Sequence, residues 1–127
     1  MCIRDSLKNQ RVSSQAKIEP CMSLEQLAAT TGLVTQVLCS DAIITYVQRL
    51  LQATRESTQF KNGLSPRAAL QWLQAARAWA VLEKREFVLP EDIQAVAPFV
   101  TLHRFTTSYS DAHAHEFKRI MTSTPVD

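Results

Sequence analysis

Glycine is scarce in this chain, with two in 127 residues, and aromatics make up only 7%. Sandwiches and barrels need turn glycines and strand-forming aromatics, so both are disfavoured. No apolar run reaches the roughly 18 residues of a membrane span. Neither sign of charge dominates: 14 basic and 12 acidic residues leave a net charge of +2. That balance gives no electrostatic footprint for nucleic acid. Cysteines are few and odd in number: Cys2, Cys21 and Cys39, with no CxxC spacing. This argues against a disulfide framework and a zinc site, and favours a reduced, cytoplasmic setting. His113 and His115 would splay to different faces of a helix, and His103 stands apart, so no metal site is expected.

What is present is helical. Ala, Leu, Gln and Val dominate a chain that is 46% hydrophobic. These residues favour a compact all-α domain. Met1–Ser6 (MCIRDS) has neither a signal-peptide core nor a periodic pattern and is expected to be a non-native leader. Residues 7–22 are polar and read as a linker or the end of a missing core. Ser23 and Gln26 form a capping box for a short helix bearing Leu24, Leu27 and Ala28, expected to stop near Gly32. Leu33 to Leu38 is expected to be an extended connector.

Ser40 and Asp41 cap a second helix to about Glu56, with Ile43, Val47, Leu50, Leu51 and Thr54 on its buried stripe. Ser57–Asn62 reads as a polar loop. A third helix, Pro66 to about Glu83, is expected to bury Leu70, Leu73, Ala76 and Ala80, with Trp72 and Trp79 on one face as core. Glu83-Lys84-Arg85 is a tight turn and Phe87-Val88-Leu89 an extended piece. Pro90-Glu91-Asp92 opens a fourth helix, with Ile93, Val96 and Ala97 buried and Pro98 bending or restarting it. After a Thr/Ser loop, His113–Met121 forms a short tail helix with Phe117, Ile120 and Met121 apolar. The fold expected is a small four-helix bundle over residues 23–104 and a tail over 105–127.

Gly63-Leu64-Ser65-Pro66-Arg67-Ala68 is the most informative stretch. Ser65 is a good N-cap, and Pro66 suits the first helical position, where no amide donor is needed. Gly63 lets the chain turn into the cap. Arg67 is unexpected, because a cation in the first turn faces the positive end of the helix dipole. The same end attracts phosphate, which suggests a shared phosphate ligand from outside the segment. A solvated surface arginine is the plain alternative.

Thr54-Arg55, Gly63-x-Ser65-Pro66-Arg67-Ala68, Leu73-x-x-Ala76-x-Ala78-x-Ala80, Val88-x-Pro90-Glu91-Asp92-Ile93 with Val96-Ala97-Pro98, and His103-Arg104 follow in order over about seventy residues. Together they closely resemble the C-terminal lid of the MoxR family of AAA+ ATPases. Thr124-Pro125-Val126 is similar to that family's usual ending, more weakly. Leu64 and Lys84 depart from the pattern, standing where the family commonly has Ala and Gly. A strained turn is expected at Lys84.

The resemblance implies a bacterial, cytoplasmic, chaperone-like motor. Such motors form rings, usually hexameric, run on ATP with Mg2+, and often work with proteins carrying von Willebrand factor A domains. It implies that Arg67 is sensor 2, both catalytic and nucleotide-binding, while Arg55 and Arg104 could reach the nucleotide or a neighbouring subunit or lie solvated. The 127 residues hold no GxxxxGK(S/T) phosphate loop and no apolar strand ending in Asp-Glu. The expectation is a lid fragment that folds without hydrolysing ATP and whose N-terminal AAA+ core is missing. Two other classes stay open: a free-standing helical protein-protein interaction module, and a DNA-binding helical domain. Against the second, no helix carries a basic recognition face.

Overall fold

The computed structural model describes residues 19–105 and 111–126. Among the described residues, five α-helices and one 3-10 turn make up the regular structure: α1 (Leu24–Gln36), α2 (Asp41–Glu56), α3 (Pro66–Leu82), α4 (Pro90–Thr101), the 3-10 turn Leu102–Arg104, and α5 (Asp111–Ser123). The architecture is all-α. The expected leader, Cys2, the linker as far as residue 18 and the Thr/Ser loop at 106–110 lie outside the described residues.

The three serine caps form as their sequences dictate. Ser23 Oγ accepts from the Gln26 amide at 3.1 Å, and Gln26 Oε1 returns the bond to the Ser23 amide at 2.8 Å. Ser40 and Ser65 accept from the amides of Ile43 and Ala68. Each hydroxyl satisfies an amide with no helical partner.

Helix α1 does not stop at Gly32 but runs to Gln36. No glycine has positive φ. Glycine permits a left-handed stop without imposing one, and the longer helix delivers Val37 into the core. The connector therefore shrinks to Val37–Cys39. There Leu38 pairs with Phe87 in a parallel bridge, through Leu38 N to Glu86 O at 2.9 Å and Val88 N to Leu38 O at 3.0 Å.

Helix α2 buries Ile43, Val47, Leu50, Leu51 and Thr54 as its periodicity requires, and Tyr46 with them. Helix α3 departs from expectation. Its buried row is Ala68, Trp72, Ala76 and Ala80, at steps of four, and Leu73 is partly buried. Leu70 is 69% and Trp79 40% exposed. At about 100° per residue, Leu70 lies roughly 160° around the helix from Trp72, so it cannot join that row. The three alanines leave room for α4, which makes the most extensive contact with α3.

The end of α3 is a Schellman turn: Arg85 N bonds Ala80 O at 2.8 Å and Lys84 N bonds Val81 O at 2.9 Å. Lys84 has φ 58°, a left-handed conformation that favours glycine. Helix α4 continues through Pro98 to Thr101 rather than restarting, then tightens into the 3-10 turn. Helix α5 is longer than expected at both ends, with Phe117, Ile120 and Met121 buried against the bundle. Phe60, in the supposedly polar loop, is also buried. It stacks on Phe105 with ring centroids 4.0 Å apart, and Phe105 in turn meets Phe117 at 5.4 Å. An aromatic column thus joins the 57–62 loop, the 3-10 turn and the tail helix.

Candidate functional site

The approach to Arg67 is built by the last turn of α2. Thr54 is fully buried. Its hydroxyl donates to Leu51 O at 2.7 Å and accepts from Leu64 N at 3.1 Å. Arg55 Nε donates to Leu64 O at 3.1 Å. Both backbone polar groups of Leu64 are therefore held by neighbouring residues of one helix. The Leu64 side chain is itself in the core, so the larger residue at this position is accommodated by burial.

Gly63 serves this contact rather than a positive φ. A Cβ there would lie 2.6 Å from the Arg55 Cα and 2.7 Å from its amide nitrogen. Only a residue without a Cβ lets the loop approach so closely. Ser65 then caps α3, Pro66 occupies its first position, and Arg67 follows, exposed.

The start of α3 offers few amides to an anion. Pro66 has none, and the Ala68 and Ala69 amides bond back to Ser65. The first turn carries no acidic residue. Among the described residues no hydrogen bond or salt bridge engages the Arg67 guanidinium. A cation at a dipole end that disfavours it, with no counter-ion among the described residues, is suited to a ligand of opposite charge.

The other candidates are otherwise occupied. Arg55 is committed through Nε to Leu64. Arg104, in the 3-10 turn that follows α4, donates through Nε to Val100 O at 3.0 Å and through Nη2 to the Gln71 side chain. His103 is exposed in the 3-10 turn. Glu91 is exposed while its neighbour Asp92 is 2% exposed, so the two do not form a dyad. Asp92 takes a bidentate pair from Arg85, at 2.7 and 2.5 Å, and accepts from the Leu89 amide at 2.8 Å. Burial alone would raise the Asp92 pKa, but the Arg85 guanidinium and the Leu89 amide outweigh it and hold the carboxyl below its ordinary value. This pair ties the Schellman turn to α4.

Cys21 is exposed, and Cys39 Sγ accepts from Arg77 Nε at 3.3 Å. Among the described residues no three His, Cys, Asp or Glu side chains gather as a metal site. No helix among them is long and apolar enough to cross a membrane.

The grip of Thr54 and Arg55 on Leu64 was missed by sequence reasoning. Thr54, a polar residue on an otherwise apolar stripe, marks a buried hydrogen bond there, but nothing local to it names Leu64 as the partner.

Comparison with known proteins bears on this geometry. The profile of the AAA lid domain family matches residues 52–123, more than half of the chain and inclusive of α3, α4 and α5. YeaC of Bacillus subtilis is 36% identical over 87 residues, covering 68% of this chain and 27% of that protein. Chaperone MoxR1 of Mycobacterium tuberculosis is 38% identical over 84 residues, covering 59% and 22%. MoxR of Paracoccus denitrificans is 36% identical over 104 residues, covering 72% and 30%. The chain thus spans under a third of the length of these curated relatives. A crystal structure of a candidate ATPase from Cytophaga hutchinsonii superposes with a TM-score of 0.73, at 23% identity, over 98% of this chain and 43% of that one. That likeness is one of fold. By its profile match and its relatives, the chain belongs to the AAA lid domain family, in its MoxR-family form.

Proposed function

We propose that this lid supplies the sensor 2 arginine, Arg67, to the nucleotide site of a MoxR-like AAA+ ATPase. The observation that carries the reading is Arg67 itself: exposed, without an acidic partner among the described residues, and fixed at the capped start of α3. An unpaired guanidinium is suited to phosphate, which it can meet with two parallel donors. Bound beside the lid, ATP with Mg2+ supplies the phosphoryl anhydride that is cleaved. In this reading Arg67 stabilises the negative charge that grows on the phosphate oxygens during cleavage. After the terminal phosphate leaves, Arg67 loses a partner, and the lid is released to rotate.

The rest of the machinery, a phosphate loop and a metal-binding acid, belongs to the AAA+ core with which this lid works. The 127-residue chain alone is expected to show no turnover. The whole ATPase is proposed to be a cytoplasmic homo-oligomeric ring, hexameric in the family's usual form. It would remodel or mature partner proteins, including those with von Willebrand factor A domains. The relative described as a chaperone supports that direction.

The test is Arg67→Ala in the intact ATPase that carries this lid. Loss of one preorganised charge donor should slow hydrolysis by about 10²-fold or more. Since Arg67 is exposed, the fold should survive, as circular dichroism can check. An unchanged rate refutes the role.

A free-standing helical interaction module remains the second reading. It draws on the apolar residues that α1 and the end of α3 leave exposed, among them Leu24, Leu27, Trp79 and Leu82. A lid separated from its core presents such a surface too, so this observation does not displace the sensor reading.

A further inference from the structure

We propose that Thr54 and Arg55 are positioning residues for Arg67: by gripping both backbone polar groups of Leu64, the last turn of α2 sets where the first turn of α3 starts. This inference rests on the sensor reading of Arg67.

The grip has a fixed polarity. The Thr54 hydroxyl proton goes to Leu51 O, so its lone pair is presented to the Leu64 amide. Arg55 approaches from the same turn and donates to the Leu64 carbonyl. The missing Cβ of Gly63 brings the loop against the Arg55 backbone, and the buried Leu64 side chain prevents it from rocking. From Leu64 to Arg67 the chain has little freedom. Ser65 is locked by its cap at φ -80° and ψ 159°, and Pro66 has its φ set by the ring.

Arg67 has no side-chain anchor of its own among the described residues, so its origin must be set through the backbone. Displacement by about 1 Å, even from a residue remote from the chemistry, can cost on the order of 10²-fold in rate. Arg55 also devotes a charged donor to a neutral carbonyl at an exposed helix end. Surface packing does not call for that, whereas orientation of the loop does.

The experiment is steady-state ATP hydrolysis by the intact ATPase carrying this lid, with circular dichroism on every variant. Arg55→Ala and Thr54→Val should each lower kcat by about 10-fold, a part of what misplacing the arginine can cost. Thr54→Ser, which keeps the hydroxyl, should restore most of the rate. In the Arg67→Ala background, Arg55→Ala should cause no further loss, because residues acting as one unit are not additive.

A purely structural role would instead give losses that multiply in the double variant, and that outcome overturns the proposal. So does an unchanged rate for Arg55→Ala while Arg67→Ala is slow. If Arg67→Ala is itself unchanged, the sensor reading fails first and the positioning role goes with it. Should Thr54→Val fail to fold, the exposed Arg55 carries the test alone.

Discussion

The indole nitrogen of Trp72 donates to the carbonyl oxygen of Ile93 at 2.8 Å, across the junction of α3 and α4. Both residues are fully buried. Trp72 thus fills the space that the neighbouring alanines leave and also pins the first turn of α4. The helix that begins with Ser65 and the helix that begins with Pro90 are joined at this point. Trp72→Phe keeps a ring but removes the donor and part of the volume. It should destabilise the chain by about 1–3 kcal/mol, read as a lower urea midpoint. A midpoint equal to the parent's would mean that the bond contributes nothing.

The two glycines should respond in opposite senses. Gly63→Ala drives a Cβ into the backbone of Arg55, where nothing can move aside cheaply. A loss of about 1–3 kcal/mol is expected. Gly32→Ala meets no atom within 4 Å, and the residue is helical. There the entropic handicap of glycine is simply removed, and a gain of about 0.5–1 kcal/mol is expected. Paired denaturation curves decide the matter; equal effects at both sites would contradict the reading of Gly63.

What could be read from the sequence was local. The caps at Ser23, Ser40 and Ser65 involve residues three apart and formed as expected, and so did the buried stripe of α2. What could not be read was tertiary. Phe60 is buried because Phe105 stacks on it from a distant segment, and nothing in the polar run around it signals that. Leu70 and Trp79 suit a buried face by type alone, but the α3–α4 contact selects the row through Ala68, Trp72, Ala76 and Ala80. The candidate site divides in the same way. Arg67 was visible as a charge in the wrong place, whereas the hold of Thr54 and Arg55 on Leu64 links a helix to a loop and has no local signature.

Lys84 is the only non-glycine residue with positive φ among those described. The left-handed conformation costs a residue with a Cβ about 1–2 kcal/mol. The Schellman bonds and the Arg85–Asp92 pair hold the turn in spite of it. Lys84→Gly should therefore raise stability by about 1 kcal/mol, the strain relieved less the entropy that glycine adds to the unfolded chain. Thermal unfolding would register this as a higher midpoint. A lower one would mean that the lysine side chain contributes more than the backbone strain removes.

Acid should weaken the fold through Glu116. Its carboxylate takes two bonds from Arg119, at 2.8 Å each, and one from the Ser57 hydroxyl at 2.8 Å. It thereby ties α5 to the end of α2. The Arg119 guanidinium first, and the Ser57 hydroxyl second, lower its pKa from the ordinary 4.5 to about 2. A carboxylate depressed in the folded state adds stability that is fully present above the unfolded value. That stability is lost as pH falls through the folded value. The window for Glu116 therefore runs from about pH 4.5 down to about 2. Asp92 is depressed in the same sense and steepens the acid side. Glu116→Gln keeps a partner for Ser57 but cannot lose a charge. The variant should be less stable than the parent at pH 7, and the difference should close as pH approaches 2. Denaturant midpoints taken across that range test the assignment. Two curves running parallel from pH 7 to pH 2 would show that Glu116 has the same pKa in the folded and unfolded chain.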